Sequence, residues 1–148
     1  MPTSHEATAT WHGDLTSGKG SVSTKSGALK RAATSWSERT EGTGAEGATS
    51  PEELLAAAHA SCFAMALSAG LARAGTPPKK LDVTSTVTFD KVGEDWTVVS
   101  SELEVKGEVP GIDAAAFAKA AEGAKDGCPI SRALKNNVKL SVRPTLAR

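Results

Sequence analysis

Polar and apolar residues alternate without a break over 81–89, with Leu81, Val83, Val87 and Phe89 on one face. A two-residue period predicts a strand with one side turned to a core. Val98, Leu103 and Val105 are the apolar members of a second strand over 96–109, and Gly93, Glu94 and Asp95 lie between the two. Such a pair reads as a hairpin. Upstream, 7–11 alternates small and polar residues and 21–24 is β-prone, with turn residues at Gly18, Gly20 and 25–27. These predict a small meander. The run 138–142 predicts a closing strand.

Helical signals separate these strands. Residues 38–50 are rich in Gly, Thr and Ser with no period, so they read as a loop, long for a compact domain. Ser50-Pro51-Glu52-Glu53 then opens a helix: Ser50 as N-cap, Pro51 at the first helical position, Glu53 completing a capping box. This helix is expected to run to about Gly75, before Pro77 and Pro78. Its middle, 54–71, is apolar or small almost all round. That is long enough to touch the lower limit of a bilayer span. Seven alanines and His59 make it weakly hydrophobic, so it reads as a central, buried helix of the core. Asp113 caps a helix over 114–125 that ends near Gly127, and Cys128-Pro129 starts a short one to about Lys135. The order of strands, helix, strands, helices and strand is that of an α+β fold, read as one domain over 1–148.

Lys and Arg together number 17, as do Asp and Glu. With no basic stripe, nucleic acid and anionic membranes are not expected partners. Residues 1–11 lack the apolar stretch of a secretion signal, which predicts a cytoplasmic protein, where structural disulfides are rare. The chemistry therefore narrows to its two cysteines, Cys62 and Cys128. In that setting a cysteine pair points to redox chemistry, set against the plain alternative of small apolar core residues.

A thiolate is the nucleophile, and local charge sets how readily it forms. Cys128 precedes Pro129, so a helix N-terminus favours its thiolate, while Cys62 sits mid-helix and needs a cation or donors from elsewhere. The dipole alone ranks Cys128 as the more acidic. His59, three residues before Cys62, is a candidate donor to a thiolate or a metal ligand; a hydrogen-bonded core histidine is the favoured reading. A zinc site would need further Cys or His ligands nearby. Glu53 lies about 180° round the helix from Cys62 and should only cap. Glu52 lies ~15 Å from Cys62 along the axis, so any help it gives that thiol must come from a second copy of the chain. Arg39, just before the loop, is a natural partner for Glu52, and a held Arg lowers a thiol pKa and binds a polar oxygen. A solvated surface pair is the plainer alternative.

Taken together, the motifs resemble a known family. Residues 50–67, from Ser50-Pro51-Glu52-Glu53 through His59 and Cys62, followed by Val109-Pro110-Gly111-Ile112-Asp113 and Gly127-Cys128-Pro129-Ile130-Ser131-Arg132, look like the OsmC/Ohr family. Trp11-His12-Gly13-Asp14 with Gly18-Lys19-Gly20 looks like its OsmC branch. The resemblance implies an OsmC-like fold, with antiparallel strands around a long central helix carrying Cys62, in an intertwined homodimer with sites at the subunit interface. It implies a thiol peroxidase for organic hydroperoxides, with Cys62 peroxidatic, Cys128 resolving, and Arg39 and Glu52 activating. The implied cycle passes through a Cys62 sulfenic acid and a Cys62–Cys128 disulfide, reduced by an external dithiol such as one of lipoyl type, with no bound cofactor. Phe63 and Met65 would then favour alkyl or lipid-like hydroperoxides, or simply fill the core. A non-catalytic binder of apolar molecules and a thiol redox sensor are the competing readings. Two departures from the family pattern bear on the Arg39–Glu52 pair: Ser50, where many relatives have Asn, and the long Gly-rich segment before it.

Overall fold

Strands β1 (Ala7–His12), β2 (Lys19–Thr24) and β3 (Ala32–Thr34) pair in antiparallel order β1-β2-β3 in the computed structural model, which describes residues Met1–Arg148. Trp11 explains the glycines of this meander. Its indole Nε1 donates to the carbonyls of Gly13 and Asp14, at 3.1 and 3.2 Å. A Cβ on Gly20 would stand 2.5 Å from the Trp11 ring, and one on Gly18 2.2 Å from the Asp14 carbonyl. Only glycine lets the strand lie this close to the ring. Asp14 Oδ1 accepts from the backbone N–H and the hydroxyl of Ser17, which closes the turn.

The chain separates at Leu54 into two units, Met1–Leu54 and Leu55–Arg148. In the first, the structure adds two elements to those expected: β3 and helix α1 (Trp36–Glu41). The loop read over 38–50 therefore begins only after Glu41. Ser35 caps α1, its hydroxyl accepting from the Glu38 N–H, and Gly42 ends it in the left-handed region at φ 59°. The Gly-rich segment that follows is tied at both ends. The Glu38 carboxylate accepts from the Thr43 hydroxyl and the Gly44 N–H, and Ala33 exchanges backbone bonds with Gly47 and Thr49.

Helix α2 (Pro51–Arg73) crosses the boundary between the units. Ser50 Oγ accepts from the Glu53 N–H, while the Glu53 carboxylate accepts from Thr49 rather than closing the expected box. By length and composition α2 could span a bilayer, with a mean hydropathy of 1.7. The second unit buries one stripe of it: His59, Phe63, Leu67 and Leu71, spaced by one helical turn each. The opposite stripe, Ala58, Ser61, Met65, Ala69 and Ala72, is exposed. The expectation of a helix buried all round thus holds for one face within a single chain.

The hairpin forms as predicted but longer, from β4 (Lys80–Val92) and β5 (Asp95–Glu108). Phe89 and Trp96 stack across its tip with centroids 5.0 Å apart. β5 is the middle strand of the order β4-β5-β6, and β6 (Lys139–Leu146) runs parallel to it. The antiparallel strands that the resemblance implies are present in β1-β2-β3 and β4-β5, and β6 alone departs from that pattern. Helices α3 (Ala114–Gly127) and α4 (Pro129–Leu134) supply the crossover that a parallel neighbour requires. Asp113 caps α3 as expected, accepting from the Ala116 N–H. Along β5, Ser101, Leu103, Val105 and Gly107 face inward, and Leu103 and Val105 join the α2 stripe with Phe117, Ala121 and Cys128 in the core.

Gly107 has a packing reason. A Cβ there would lie 2.5 Å from Phe117 Cζ and 3.2 Å from Leu81 Cδ2. Gly107→Ala is expected to destabilise the fold by about 1–3 kcal/mol through overpacking, read as a lower denaturation midpoint in urea. An unchanged midpoint would contradict this packing.

Candidate active site

The four sequence-predicted residues form two pairs, each inside one unit. Arg39 lies in the last turn of α1 and Glu52 in the first turn of α2. Arg39 Nε donates to both Glu52 carboxylate oxygens, at 3.0 and 3.1 Å, and Nη2 donates to Oε1 at 2.9 Å. Glu52 is 8 % exposed and Arg39 33 %. A bidentate pair of this burial fixes the guanidinium plane. The pair is therefore formed despite Ser50 and the Gly-rich segment, because Glu38 and Ala33 anchor that segment. The Arg39 guanidinium also stands 6.0 Å from the Trp36 ring centre, within reach of a cation–π contact. It faces a cavity of about 430 Å³ lined mainly by Trp11, Leu15, Trp36 and Leu54. One cation in an apolar recess suits a small ligand with a polar end and a hydrocarbon body.

In the second unit, Cys62 and Cys128 are both free thiols, Cys128 buried and Cys62 partly so. Cys62 packs against the core cluster that contains Cys128, close enough for each thiol to bear on the other's ionisation. Burial pushes the Cys62 thiol up from its ordinary pKa. The Ile130 backbone N–H pulls it down, the neighbouring Cys128 thiol raises it again, and the charge of Arg132 lowers it. Cys128 caps α4 as the sequence predicts, its Sγ accepting from the Ser131 N–H at 3.3 Å. Phe63 is fully buried in the core, so the reading that lets it line a substrate site does not hold; Met65 is 67 % exposed.

His59 takes the favoured role of a buried, hydrogen-bonded histidine. Nδ1 lies 2.6 Å from Ser101 Oγ and Nε2 2.8 Å from Ser131 Oγ. Sequence spacing pointed to Cys62 as its neighbour, whereas the hydrogen bonds lead through Ser131 to Cys128. Ser131 was legible as the third residue after a helix-capping Cys128; Ser101 and Trp36 carry no local signal. Burial lowers the His59 pKa below its ordinary 6.5. The unfolded chain then binds a proton that the folded chain refuses, so this part of the stability is present above about pH 6.5 and is lost as pH falls below it. Between about pH 7.5 and pH 5, the urea midpoint of the wild type should fall more than that of His59→Gln. Equal falls would contradict a buried neutral imidazole.

Comparison with known proteins decides the family. Residues 42–143 match the family of OsmC-like proteins, and the chain is 45% identical over 132 residues to peroxiredoxin OsmC of Escherichia coli, covering 89% of this chain and 90% of that one. This chain belongs to the OsmC-like family. An organic hydroperoxide resistance protein of Xanthomonas axonopodis is 30% identical over 102 residues, 68% of this chain and 69% of that one. The crystal structure of the organic hydroperoxide resistance protein OhrB of Bacillus subtilis superposes with a TM-score of 0.73 at 20% identity, covering 95% of this chain and 98% of that one. The α+β architecture is thus that of OsmC and Ohr proteins, with the cysteine-bearing helix α2 as its longest helix.

Proposed function

We propose that this protein is a thiol peroxidase that reduces organic hydroperoxides to alcohols, with Cys62 as nucleophile and Cys128 as resolving thiol. The nearness of two free thiols, packed in one core cluster, carries this reading. The 45% identity to a peroxiredoxin supports it. The Cys62 thiolate attacks the terminal peroxide oxygen, the O–O bond breaks, and the alkoxide leaves as alcohol with a proton from solvent. Cys62 is left as a sulfenic acid. Cys128 displaces its oxygen as water, and an external dithiol, of lipoyl type in our proposal, reduces the disulfide by exchange.

Within its own unit the Cys62 thiol is pushed up, so turnover needs a further cation. Glu52 stands ten residues before Cys62 on α2, ~15 Å along the axis. We assign the cation to Arg39, held by Glu52, of a second copy of the chain in a homodimer. The exposed apolar stripe of α2 around Met65 supports such a partner, since apolar patches of this kind mark association surfaces. The recess beside Arg39 would take the alkyl part of the peroxide. In this reading residues 1–148 act as one OsmC-like domain, and the protein works in the cytoplasm.

Steady consumption of cumene hydroperoxide with dihydrolipoamide tests the proposal. A protein that only bound apolar molecules would consume none, and one that only signalled oxidation would stop after the first equivalent.

A further inference from the structure

A line of hydrogen bonds runs from the Cys128 thiol through the core of the second unit. Cys128 Sγ donates to Ser131 Oγ at 3.1 Å. Ser131 Oγ is 2.8 Å from His59 Nε2, His59 Nδ1 is 2.6 Å from Ser101 Oγ, and Ser101 Oγ is 3.0 Å from Ser85 Oγ. Cys128, Ser131, His59 and Ser101 are at most 1 % exposed, whereas Ser85, on β4, is only partly buried.

The donor directions follow from one another. If the thiol donates to Ser131, the Ser131 hydroxyl proton must go to Nε2. The imidazole then carries its proton on Nδ1 and donates to Ser101, whose own proton is free for Ser85. Every group thus passes a proton the same way, from the thiol outward. An apolar residue would continue the Phe63, Leu67 and Leu71 stripe at less cost, since a buried imidazole must find a partner for each nitrogen.

We propose that this chain is a proton relay that deprotonates Cys128 for the resolving step, with His59 accepting through Ser131 and Ser101 and Ser85 leading to solvent. The proposal rests on the thiol-peroxidase reading. The Cys128 proton moves to Ser131 as the Ser131 proton moves to Nε2, and the Nδ1 proton leaves through Ser101 and Ser85. The Cys128 thiolate attacks Cys62 Sγ of the sulfenic acid; the S–S bond forms as the S–O bond breaks. Hydroxide departs with the electron pair and takes a proton from solvent. The proton released at Ser85 balances the one taken up, so the product is one disulfide and one water. The sulfenic sulfur is reduced and the Cys128 sulfur oxidised, with no other reagent. Burial disfavours the imidazolium, so His59 passes the proton on and does not store it. His59 is a positioning and relay residue here; Ser131 is the group that touches the reacting sulfur.

The test separates the two half-reactions. Protein is mixed with one equivalent of cumene hydroperoxide, quenched over time with acid and alkylating agent, and sulfenic acid and disulfide are counted by mass spectrometry. In His59→Gln and Ser131→Ala, cumyl alcohol should appear as in the wild type while disulfide formation slows on the order of 10- to 100-fold. Gln can replace both hydrogen bonds but cannot accept the proton. Ser131→Thr, which keeps the hydroxyl, should restore the rate. Disulfide formation as fast as wild type in both slow variants, or an equal slowing of both half-reactions, would overturn the relay. If His59→Gln does not fold, the Ser131 pair of variants decides alone. A wild type that forms neither sulfenic acid nor disulfide would overturn the thiol cycle and the relay with it.

Discussion

Cys62→Ser is expected to remove hydroperoxide turnover, a loss on the order of 1,000-fold or more, down to the uncatalysed rate. The sulfur of a thiolate gives an electron pair to the peroxide oxygen and becomes a sulfenic acid. A serine hydroxyl is not ionised near neutral pH, and its oxygen has no matching oxidised state. Cys62 is only partly buried, so the substitution should change folding stability by less than about 1 kcal/mol. Cys128→Ser should differ in kind, consuming one equivalent of peroxide per chain, after which the Cys62 sulfenic acid persists and is trapped by dimedone. Peroxide consumption followed with dihydrolipoamide distinguishes the two. Sustained turnover by Cys62→Ser would remove that residue from the chemistry.

The second large effect is expected at Arg39. Arg39→Ala should lower kcat/KM for cumene hydroperoxide by on the order of 100-fold, the usual cost of one lost charge-stabilising donor. The charge of Arg132 remains near Cys62 and leaves some activity. Arg39→Lys should recover little, because a single ammonium cannot reproduce the three donated contacts to Glu52. Losing Arg39 also strands a carboxylate that is 8 % exposed. With Arg39 one-third open to solvent, the stability cost should be about 1–3 kcal/mol, below that of a fully buried pair. Mixed dimers of Arg39→Ala with Cys62→Ser decide where Arg39 acts. If it serves the partner's thiol, the mixture regains one intact site per heterodimer and activity rises above both parents. Activity no higher than the parents' would place Arg39 and Cys62 of one chain in the same site.

What the sequence revealed follows from signal length. The start of α2, the β4–β5 hairpin and the Asp113 cap were legible because each joins a long periodic run to a specific capping or turn residue. Helix α1 was not, since six residues show less than two turns of period. Its signals were nonetheless present: Ser35 and Glu38 repeat the Ser50–Glu53 spacing, and Gly42 is a fitting stop. The parallel direction of β6 was hidden, because strand direction depends on the crossover through α3 and α4 and not on local pattern. At the site, Arg39 and Glu52 are legible as a charge pair flanking the loop and by motif resemblance, and the thiols by their scarcity. The partners of His59 lie 42 and 72 positions away, beyond any local pattern, and serines on a strand look like any solvated polar face. The helix dipole that ranks Cys128 as the more acidic thiol is readable from Pro129, whereas the proposed role of Cys62 as nucleophile rests on the resemblance of the motifs around it.

The thiol cycle is tested most directly by peptide mapping with mass spectrometry, under non-reducing conditions, of wild-type protein treated with one equivalent of cumene hydroperoxide. The thiol cycle predicts one Cys62–Cys128 disulfide, the loss of two hydrogens from the chain, and one equivalent of cumyl alcohol. Unconsumed peroxide with both thiols still free, or oxidation confined to exposed Met65, would contradict it.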